Sequence, residues 1–319
     1  MRNVALCVGV NYYAYAGCLE ECVKDATSMM EILATNGDGS PNFEVKKLLA
    51  DSEENPVTRS MLRSEVEELF QGKYHTALFY FSGHGASNKY GSYLCTSESM
   101  EIEDGLSMDT LMHIVSQSNA LNKVIILDSC HSGKLGDLTR LPDSAMLPDN
   151  TTVLAACSGE GVSYEGIFTP LVVSALDGGA MNLVGEVTPG SLYSYVDRIL
   201  GVIYQHPVFK ANIDSFVCLR ICEPPIDRKT LRRISTLFEN PDWEYQLDPS
   251  YEEDKRDSKQ ESRNLEHEEI FAVMRQYVSL NLVVPVKETY MYWAAVNSDS
   301  LRLTKLGQYY WRLAKSGRI

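Results

Sequence analysis

Two short apolar segments, each ending at polar residues flanked by glycine, restrict the fold of this sequence more than any other feature. Residues 78–85 read Leu-Phe-Tyr-Phe-Ser-Gly-His-Gly, and residues 124–133 read Val-Ile-Ile-Leu-Asp-Ser-Cys-His-Ser-Gly. Buried parallel strands have this continuous apolar pattern, and open α/β sheets bind ligands outside the carboxyl ends of their strands. If the two segments are neighbouring strands, His84 and Cys130 lie at the same edge of the sheet.

This pairing of residue types has a chemical reason. A thiol is a weak nucleophile until a nearby imidazole converts it to a thiolate, so a cysteine and a histidine at one sheet edge can act as nucleophile and base. The sequence therefore predicts that Cys130 attacks a substrate and that His84 moves the proton. A buried strand-end histidine and an inert core cysteine are the structural alternative, which the glycines beside both residues disfavour.

Strand and helix signals alternate over the first two-thirds of the chain. Six apolar runs predict strands at 3–10, 43–49, 76–82, 123–129, 151–156 and 214–221. Five further segments predict helices, the first two from apolar residues spaced three and four apart: 18–34, 57–70, 106–115, 168–176 and 190–204. This alternation predicts an α/β fold of three layers, in which helices cover both faces of a mostly parallel six-stranded sheet.

The two motifs, Ser-Gly-His-Gly at 82–85 and Asp-Ser-Cys-His-Ser-Gly at 128–133, resemble the catalytic signature of the caspase-like cysteine peptidases, specifically of the prokaryotic metacaspases. The resemblance extends over residues 1–222. Animal caspases have a Gln-Ala-Cys signature with the histidine about 50 residues upstream, so the spacing agrees while the residues before the cysteine differ. The resemblance implies a caspase-like domain, cysteine endopeptidase activity on protein or peptide substrates, and an oxyanion hole made by the N–H groups of Gly85 and Cys130.

The resemblance also implies a substrate pocket beside the nucleophile. In metacaspases this pocket is lined by a carboxylate before the nucleophile, a Cys-x-x-Asp on the first helix and the serine of Ser-Gly-His-Gly, which correspond here to Asp128, Cys22, Asp25 and Ser82. Two buried carboxylates repel each other unless a cation lies between them, and a substrate arginine or lysine supplies that cation. Cleavage after Arg or Lys is therefore expected, whereas caspases use arginines to bind aspartate. A solvent-facing Asp25 is the alternative.

Composition and charge restrict the compartment and the partners. The 319 residues include 29 Lys and Arg against 43 Asp and Glu, a formal net charge of −14, which argues against a general nucleic-acid-binding surface. The apolar stretches are too short for a transmembrane helix, and several of the eight cysteines lie in apparent core elements, which suits a reducing compartment. We therefore expect a cytoplasmic protein that does not contact a membrane.

The sequence predicts no cofactor. Cys18 and Cys22, like Cys218 and Cys222, lack a second pair at the spacing of a zinc site. Calcium activates some metacaspases, but the sequence has no loop with a recognisable pattern of calcium ligands, so calcium activation is left open.

The C-terminal part of the chain predicts a second, smaller domain at 266–319. Residues 223–265 are expected to connect it to the first domain, and the strongly polar stretch 248–264 to be a linker or an exposed loop. The elements expected in the second domain are a helix, two strands and a final helix capped by Thr304: 270–278, 280–286, 289–296 and 303 onwards. This order resembles a winged-helix module with a regulatory or sensor role.

Three functions are compatible with these patterns. The first is a cysteine endopeptidase whose activity is gated by residues 266–319 when they bind an activating ligand or partner protein. For this function the family resemblance implies a role in antiviral defence or regulated cell death. The second is a caspase-like protein that binds a ligand or peptide without turnover, which the intact Cys–His pair disfavours. The third is a DNA-binding regulator, but seven Lys and Arg against five Asp and Glu in 266–319 are a weak electrostatic footprint for duplex DNA.

Overall fold

The computed structural model describes the chain in seven stretches, 1–88, 91–101, 104–130, 147–156, 166–203, 206–252 and 264–319. These stretches form two units, Met1–Glu223 and Pro224–Ile319. The first unit contains both motif segments. The second contains the residues expected to resemble a winged-helix module.

The elements of the first unit alternate between strand and helix for most of its length. Its strands are β1 (Asn3–Val10), β2 (Phe43–Ala50), β3 (Thr76–Asn88), β4 (Gly91–Leu94), β5 (Leu106–Ser107), β6 (Asn122–Cys130), β7 (Thr151–Ala155), β8 (Glu186–Val187), β9 (Val208–Asn212) and β10 (Arg220–Ile221). Its helices are α1 (Cys22–Ala34), α2 (Arg59–Gln71), α3 (Met108–Ser116), α4 (Phe168–Ser174) and α5 (Pro189–Leu200). The first five predicted strands and all five predicted helices are present, with ends shifted by a few residues.

Six strands form the main sheet in the order β2-β1-β3-β6-β7-β9, and β4 and β5 extend it from the end of β3. The first five strands in this order are parallel, and β9 pairs with β7 in the antiparallel direction. Helices α2 and α3 cover one face, where Leu62 and Leu111 are buried, and helices α1, α4 and α5 cover the other, where Met29 and Val172 are buried. The predicted three-layer, mostly parallel α/β fold is confirmed.

The sixth predicted strand, at 214–221, is wrong. The strand that completes the main sheet is β9, and the two residues of β10 pair instead with β8. Because β9 lies at the sheet edge and reads Val-Phe-Lys-Ala-Asn, it lacks the continuous apolar run by which buried strands are recognised. Leu219, one of the apolar residues that suggested the strand, is buried in the core on the α1 side of the sheet.

The second unit combines short helices with a small antiparallel sheet. Its elements are α6 (Arg228–Arg232), α7 (Ile234–Leu237), β11 (Glu244–Gln246), α8 (Leu265–Ser279), β12 (Val283–Pro285), α9 (Met291–Val296), β13 (Ser300–Leu303) and α10 (Lys305–Lys315). The strands are ordered β11-β13-β12. The predicted cap of the last helix is confirmed, because Thr304 Oγ1 accepts a hydrogen bond from the Gly307 N–H at 3.0 Å.

The segment expected to connect the two domains is largely part of the second unit. Helices α6 and α7 and strand β11 all lie within residues 223–265, and Leu231, Ile234 and Phe238 are fully buried there. The polar residues that predicted a linker, 248–264, form the later part of this segment. Of these, residues 253–263 lie outside the described residues.

The strand expected at 289–296 is also wrong, because this stretch contains helix α9. Ala294 and Ala295 are both buried, whereas neighbouring residues of a strand face opposite sides. The expected two-stranded wing is therefore replaced by β12 and β13, which pair with each other and have α9 between them in the chain. Residues 290–293 are an uninterrupted run of large apolar and aromatic side chains, and such a short run does not distinguish a strand from a helix.

Candidate active site

The parallel pairing of β3 with β6 brings the two sequence motifs side by side. Its register aligns His84 with Cys130 and Ser82 with Asp128, on adjacent strands that are about 4.8 Å apart in such sheets. Ser82, His84 and Asp128 share one face, because side chains alternate along a strand and the register aligns these positions.

His84 is held by residues that follow β1. Its Nε2 lies 2.7 Å from the carbonyl oxygen of Gly17, and its backbone N–H donates to the Tyr13 hydroxyl at 2.7 Å. The Tyr13 ring also packs on the imidazole, with the ring centres 4.5 Å apart. Since a carbonyl oxygen only accepts hydrogen bonds, Nε2 carries the proton, and Nδ1 of the neutral ring is free to accept one.

The glycine before the histidine has a packing role that the sequence did not show. A Cβ at Gly83 would lie 2.6 Å from the Tyr13 hydroxyl oxygen, closer than two such atoms approach in proteins. The missing side chain therefore lets the tyrosine reach the backbone of His84. Tyr13 itself is almost fully buried, so this contact is fixed by packing.

The backbone of Gly85 is oriented by the change of partner strand at the end of β3. The Cys95 N–H donates to the His84 carbonyl oxygen at 2.9 Å, and Gly85 is aligned with Leu94 in the antiparallel pair formed with β4. Bonded and non-bonded pairs alternate in such a ladder, so the Gly85 N–H points away from β4.

The predicted pocket residues lie together on the α1 side of the sheet. Asp25 and Asp128 are about 5% and 4% exposed, so a solvent-facing Asp25 is ruled out. The Ser82 hydroxyl donates to Asp25 Oδ2 at 3.4 Å, and Cys22 is buried one turn before Asp25 on α1. Helix α1 comes this close because Gly9 of β1 lacks a Cβ, which would lie 2.3 Å from the Cys22 carbonyl oxygen.

The two buried carboxyl groups affect each other's protonation. Removal from water and the negative charge of Asp128 raise the pKa of Asp25 to about 7, against a smaller opposing effect of the Ser82 hydrogen bond. An acid with this pKa is half protonated near neutral pH. The two carboxyl groups therefore do not both carry a full negative charge near neutral pH.

Two residues that the sequence did not indicate complete the pocket. Thr169, in the first turn of α4, donates to Asp128 Oδ2 from both its backbone N–H, at 3.2 Å, and its hydroxyl, at 2.6 Å. Its Oγ1 also lies 2.5 Å from the Tyr80 hydroxyl. Tyr80 precedes Ser82 by two positions in β3, so the period of the strand could have indicated its face. For Thr169 we find no sequence signal.

The described residues contain neither a cluster of metal-ligating side chains nor a membrane-spanning helix. In the described part of the chain, no group of three or more His, Cys, Asp and Glu side chains is arranged to hold a metal ion. Among the helices described, none is both long and apolar enough to cross a membrane. The expectation that no cofactor is needed stays a prediction, as does calcium activation.

Comparison with known proteins identifies the family. Residues 2–209 match the caspase domain, so the chain belongs to the caspase-domain family, a family of cysteine endopeptidases. Metacaspase-1B of Neurospora crassa is 23% identical over 222 residues, which cover 63% of this chain and 46% of that protein. Metacaspase-1 of Plasmodium falciparum is 28% identical over 195 residues, which cover 51% of this chain and 31% of that protein. The chain thus spans less than half the length of these relatives.

Solved structures show the same fold. The crystal structure of caspase-1 from Spodoptera frugiperda is similar to this protein over 70% of this chain and 92% of that chain. The TM-score is 0.51 and the sequence identity is 11%. At this identity the likeness concerns the fold, which agrees with the parallel sheet and its covering helices.

The raised pKa of Asp25 predicts that ionisation of this carboxyl group lowers the stability of the folded protein. The folded-state value of about 7 exceeds the ordinary value of 3.8, so the folded protein binds more protons than the unfolded chain between about pH 4 and 7 and loses stability as the pH rises through this range. We expect Asp25→Asn to increase the free energy of unfolding by about 2–4 kcal/mol at pH 8 and by less than about 1 kcal/mol at pH 4.

Urea unfolding of both proteins at the two pH values measures this difference. Asp214→Asn, which changes an exposed carboxylate of the same unit, is the matched control and should be neutral at both. An equal effect of Asp25→Asn at pH 4 and pH 8 would contradict the assignment of the raised pKa to Asp25.

Proposed function

We propose that this chain is a cysteine endopeptidase of the metacaspase type, which cleaves polypeptides after Arg or Lys through Cys130 and His84. The observation that carries the proposal is the register of β3 and β6, which aligns His84 with Cys130 and Ser82 with Asp128. Membership of the caspase-domain family supports the reaction. The buried pair of Asp25 and Asp128 supports the preference for a basic side chain.

The first half of the reaction forms an acyl-enzyme. His84 takes the thiol proton of Cys130 on Nδ1, because its Nε2 is engaged by the Gly17 carbonyl oxygen. The thiolate adds to the carbonyl carbon of the scissile peptide bond, and the resulting oxyanion accepts hydrogen bonds from the N–H groups of Gly85 and Cys130. The Gly17 oxygen, which accepts from Nε2–H, stabilises the imidazolium while it carries the charge.

The second half returns the enzyme to its starting state. As the C–N bond breaks, the leaving amine takes the proton from Nδ1 of His84, and a thioester remains on Cys130. Water then adds to the thioester carbonyl while His84 accepts one of its protons. The C–S bond breaks, the acid product leaves, and His84 returns the proton to the Cys130 thiolate.

The acidic pocket selects the residue on the amino side of the cleaved bond, termed P1. Asp128 is two residues before Cys130 on β6, so a side chain bound by this carboxylate belongs to a residue next to the scissile bond. An arginine guanidinium offers several N–H donors in a planar fork and a lysine ammonium offers three, and both neutralise the carboxyl pair. A P1 aspartate would add a third negative charge.

Replacing either reacting residue should abolish turnover. We expect Cys130→Ala and His84→Ala each to lower kcat for a fluorogenic arginyl peptide by at least about 1,000-fold, and the double variant to lose little more, since the two residues act as a unit. The matched controls are Cys218→Ala and His113→Ala, which remove the same side chains away from the site and should keep wild-type turnover.

A Cys130→Ala protein with more than a few per cent of wild-type activity would contradict the mechanism. If the wild-type protein bound arginyl peptides and hydrolysed none of them, the alternative of a binding protein without turnover would replace the proposal.

The pocket predicts a strong preference at P1. Among otherwise identical peptides with Arg, Lys or Asp at this position, we expect hydrolysis of the first two and none of the third. Asp128→Asn should lower kcat/KM for the arginyl peptide by about 100-fold or more, because removing one partner of a buried ion pair costs several kcal/mol. Asp214→Asn serves as the exposed control. A preference of the wild-type protein for P1 aspartate would contradict the pocket assignment.

We further propose that the second unit regulates the peptidase by binding a ligand or partner protein. Its separate fold supports this role, as do several exposed aromatic side chains on its surface: Trp243, Tyr290, Trp293 and Tyr309. The nearly balanced charge of residues 266–319 favours a protein or small molecule over DNA. A cytoplasmic location and a role in antiviral defence or regulated cell death stay predictions from the family resemblance.

Removing the second unit should change the basal activity. The first unit has its own core on both faces of the sheet, so a protein ending at Glu223 is expected to fold. We expect its kcat/KM to differ from that of the full chain by about fivefold or more, the usual size of a coupling between two sites. Circular dichroism and thermal unfolding check the fold. Equal kcat/KM for the two folded proteins would contradict regulation by this unit.

A further inference from the structure

The geometry around Asp128 points to Thr169 as the residue that sets how the acidic pocket binds a cation. We propose that Thr169 keeps the negative charge on Asp128, so that Asp25 is the carboxyl group that releases a proton when a basic P1 side chain enters. This inference rests on the proposed function and deepens it, because it makes binding of the substrate side chain a proton-coupled step.

Thr169 donates two hydrogen bonds to one oxygen of Asp128. The Thr169 hydroxyl donates to Oδ2 at 2.6 Å and the Thr169 N–H donates to the same oxygen at 3.2 Å. Since the threonine proton is committed to the carboxylate, Oγ1 accepts from the Tyr80 hydroxyl, 2.5 Å away. The Tyr80 hydroxyl therefore orients the Thr169 hydroxyl proton towards Asp128. Hydrogen bonds from close donors favour the ionised form of a carboxyl group.

Asp25 has weaker support for a negative charge. Among the described side chains, the donor that reaches its carboxyl group is Ser82, at the long distance of 3.4 Å. The charged group that faces it from β6 is Asp128, which repels a second negative charge. On its own helix, Lys24 is exposed and bound to Glu21 at 2.8 Å, so its cation is largely compensated. Among the described side chains of the sheet and α4, the neutral hydroxyls of Tyr80, Ser82 and Thr169 face this part of the pocket.

The two carboxyl groups therefore have different roles although they are chemically identical. The shift of the Asp25 pKa to about 7, caused by burial and then by Asp128, agrees with this assignment. Below this pH the empty pocket holds one proton and one charge, and a guanidinium has to displace the proton to meet both carboxylates. Binding then weakens by up to about tenfold for each unit by which the pH falls below 7, and is independent of pH well above 7.

Two substitutions at Thr169 test the assignment in the full chain. Thr169→Val keeps the shape and the backbone donor but removes the hydroxyl, so Asp128 holds a proton more readily and competes with the substrate cation. We expect KM for an arginyl peptide at pH 7 to rise about tenfold while kcat changes less than about threefold, and the pH below which KM rises to move upwards. Thr169→Ser keeps a hydroxyl and should restore both KM and the pH profile.

The matched control is Thr152→Val, which removes a buried threonine hydroxyl from β7 outside the pocket. A general loss of packing would affect both valine variants alike and would not be rescued by serine. Unchanged KM and pH profile in Thr169→Val would overturn the inference.

Calorimetry of binding separates this inference from the proposed function. The Cys130→Ala protein is titrated with acetyl-Ala-Ala-Arg amide in buffers of different ionisation enthalpy, between pH 6 and 8.5. We expect release of nearly one proton at pH 6 and almost none at pH 8.5. Proton release by a wild-type protein that hydrolyses nothing would remove the proposed function and leave the inference standing. Binding without proton release would overturn the inference alone, and no binding at any pH would overturn both.

Discussion

The candidate site depends on the parallel register between β3 and β6. Because side chains alternate along a strand, this register places Ser82 and His84 on one face, next to Asp128 and Cys130. A slip of one residue would turn either pair towards α2 and α3 on the opposite face. Alternate apolar residues of both strands are buried in separate cores above and below the sheet, so such a slip would also force side chains that pack in one core into the other.

The pocket beside these residues shows how two buried carboxyl groups are tolerated close to each other. Two carboxylates in a shared pocket would cost several kcal/mol if both were ionised, since neither could be fully solvated. Hydrogen bonds from Thr169 favour the charge on Asp128, whereas Asp25 has a pKa near 7 and can hold a proton. The folded protein is thereby less stable at high pH than one with a neutral residue in place of Asp25.

The histidine is oriented from the other side of β3. Gly17 and Tyr13 follow β1, the neighbour of β3 opposite β6, and hold the imidazole at Nε2 and the backbone at N–H. Three adjacent strand ends thus supply Cys130, His84 and the groups that orient the His84 imidazole. A site of this kind tolerates changes in distant loops, because its geometry comes from the hydrogen-bonded sheet and from packing around Tyr13.

Local patterns were sufficient to locate the sheet, its layers and the motif residues at its edge, because apolar runs and the two-residue period are properties of adjacent residues. The same patterns failed for edge strand β9, which is only half buried, and for α9, whose short uninterrupted apolar run fits a strand and a helix equally well. Tertiary structure alone decided which groups reach the motifs: Thr169 is 41 positions from Asp128, and Gly17 is 67 positions from His84. The protonation of Asp25 was likewise beyond the sequence, since it follows from burial and from the distance to a second carboxylate, which exist only once the chain has folded.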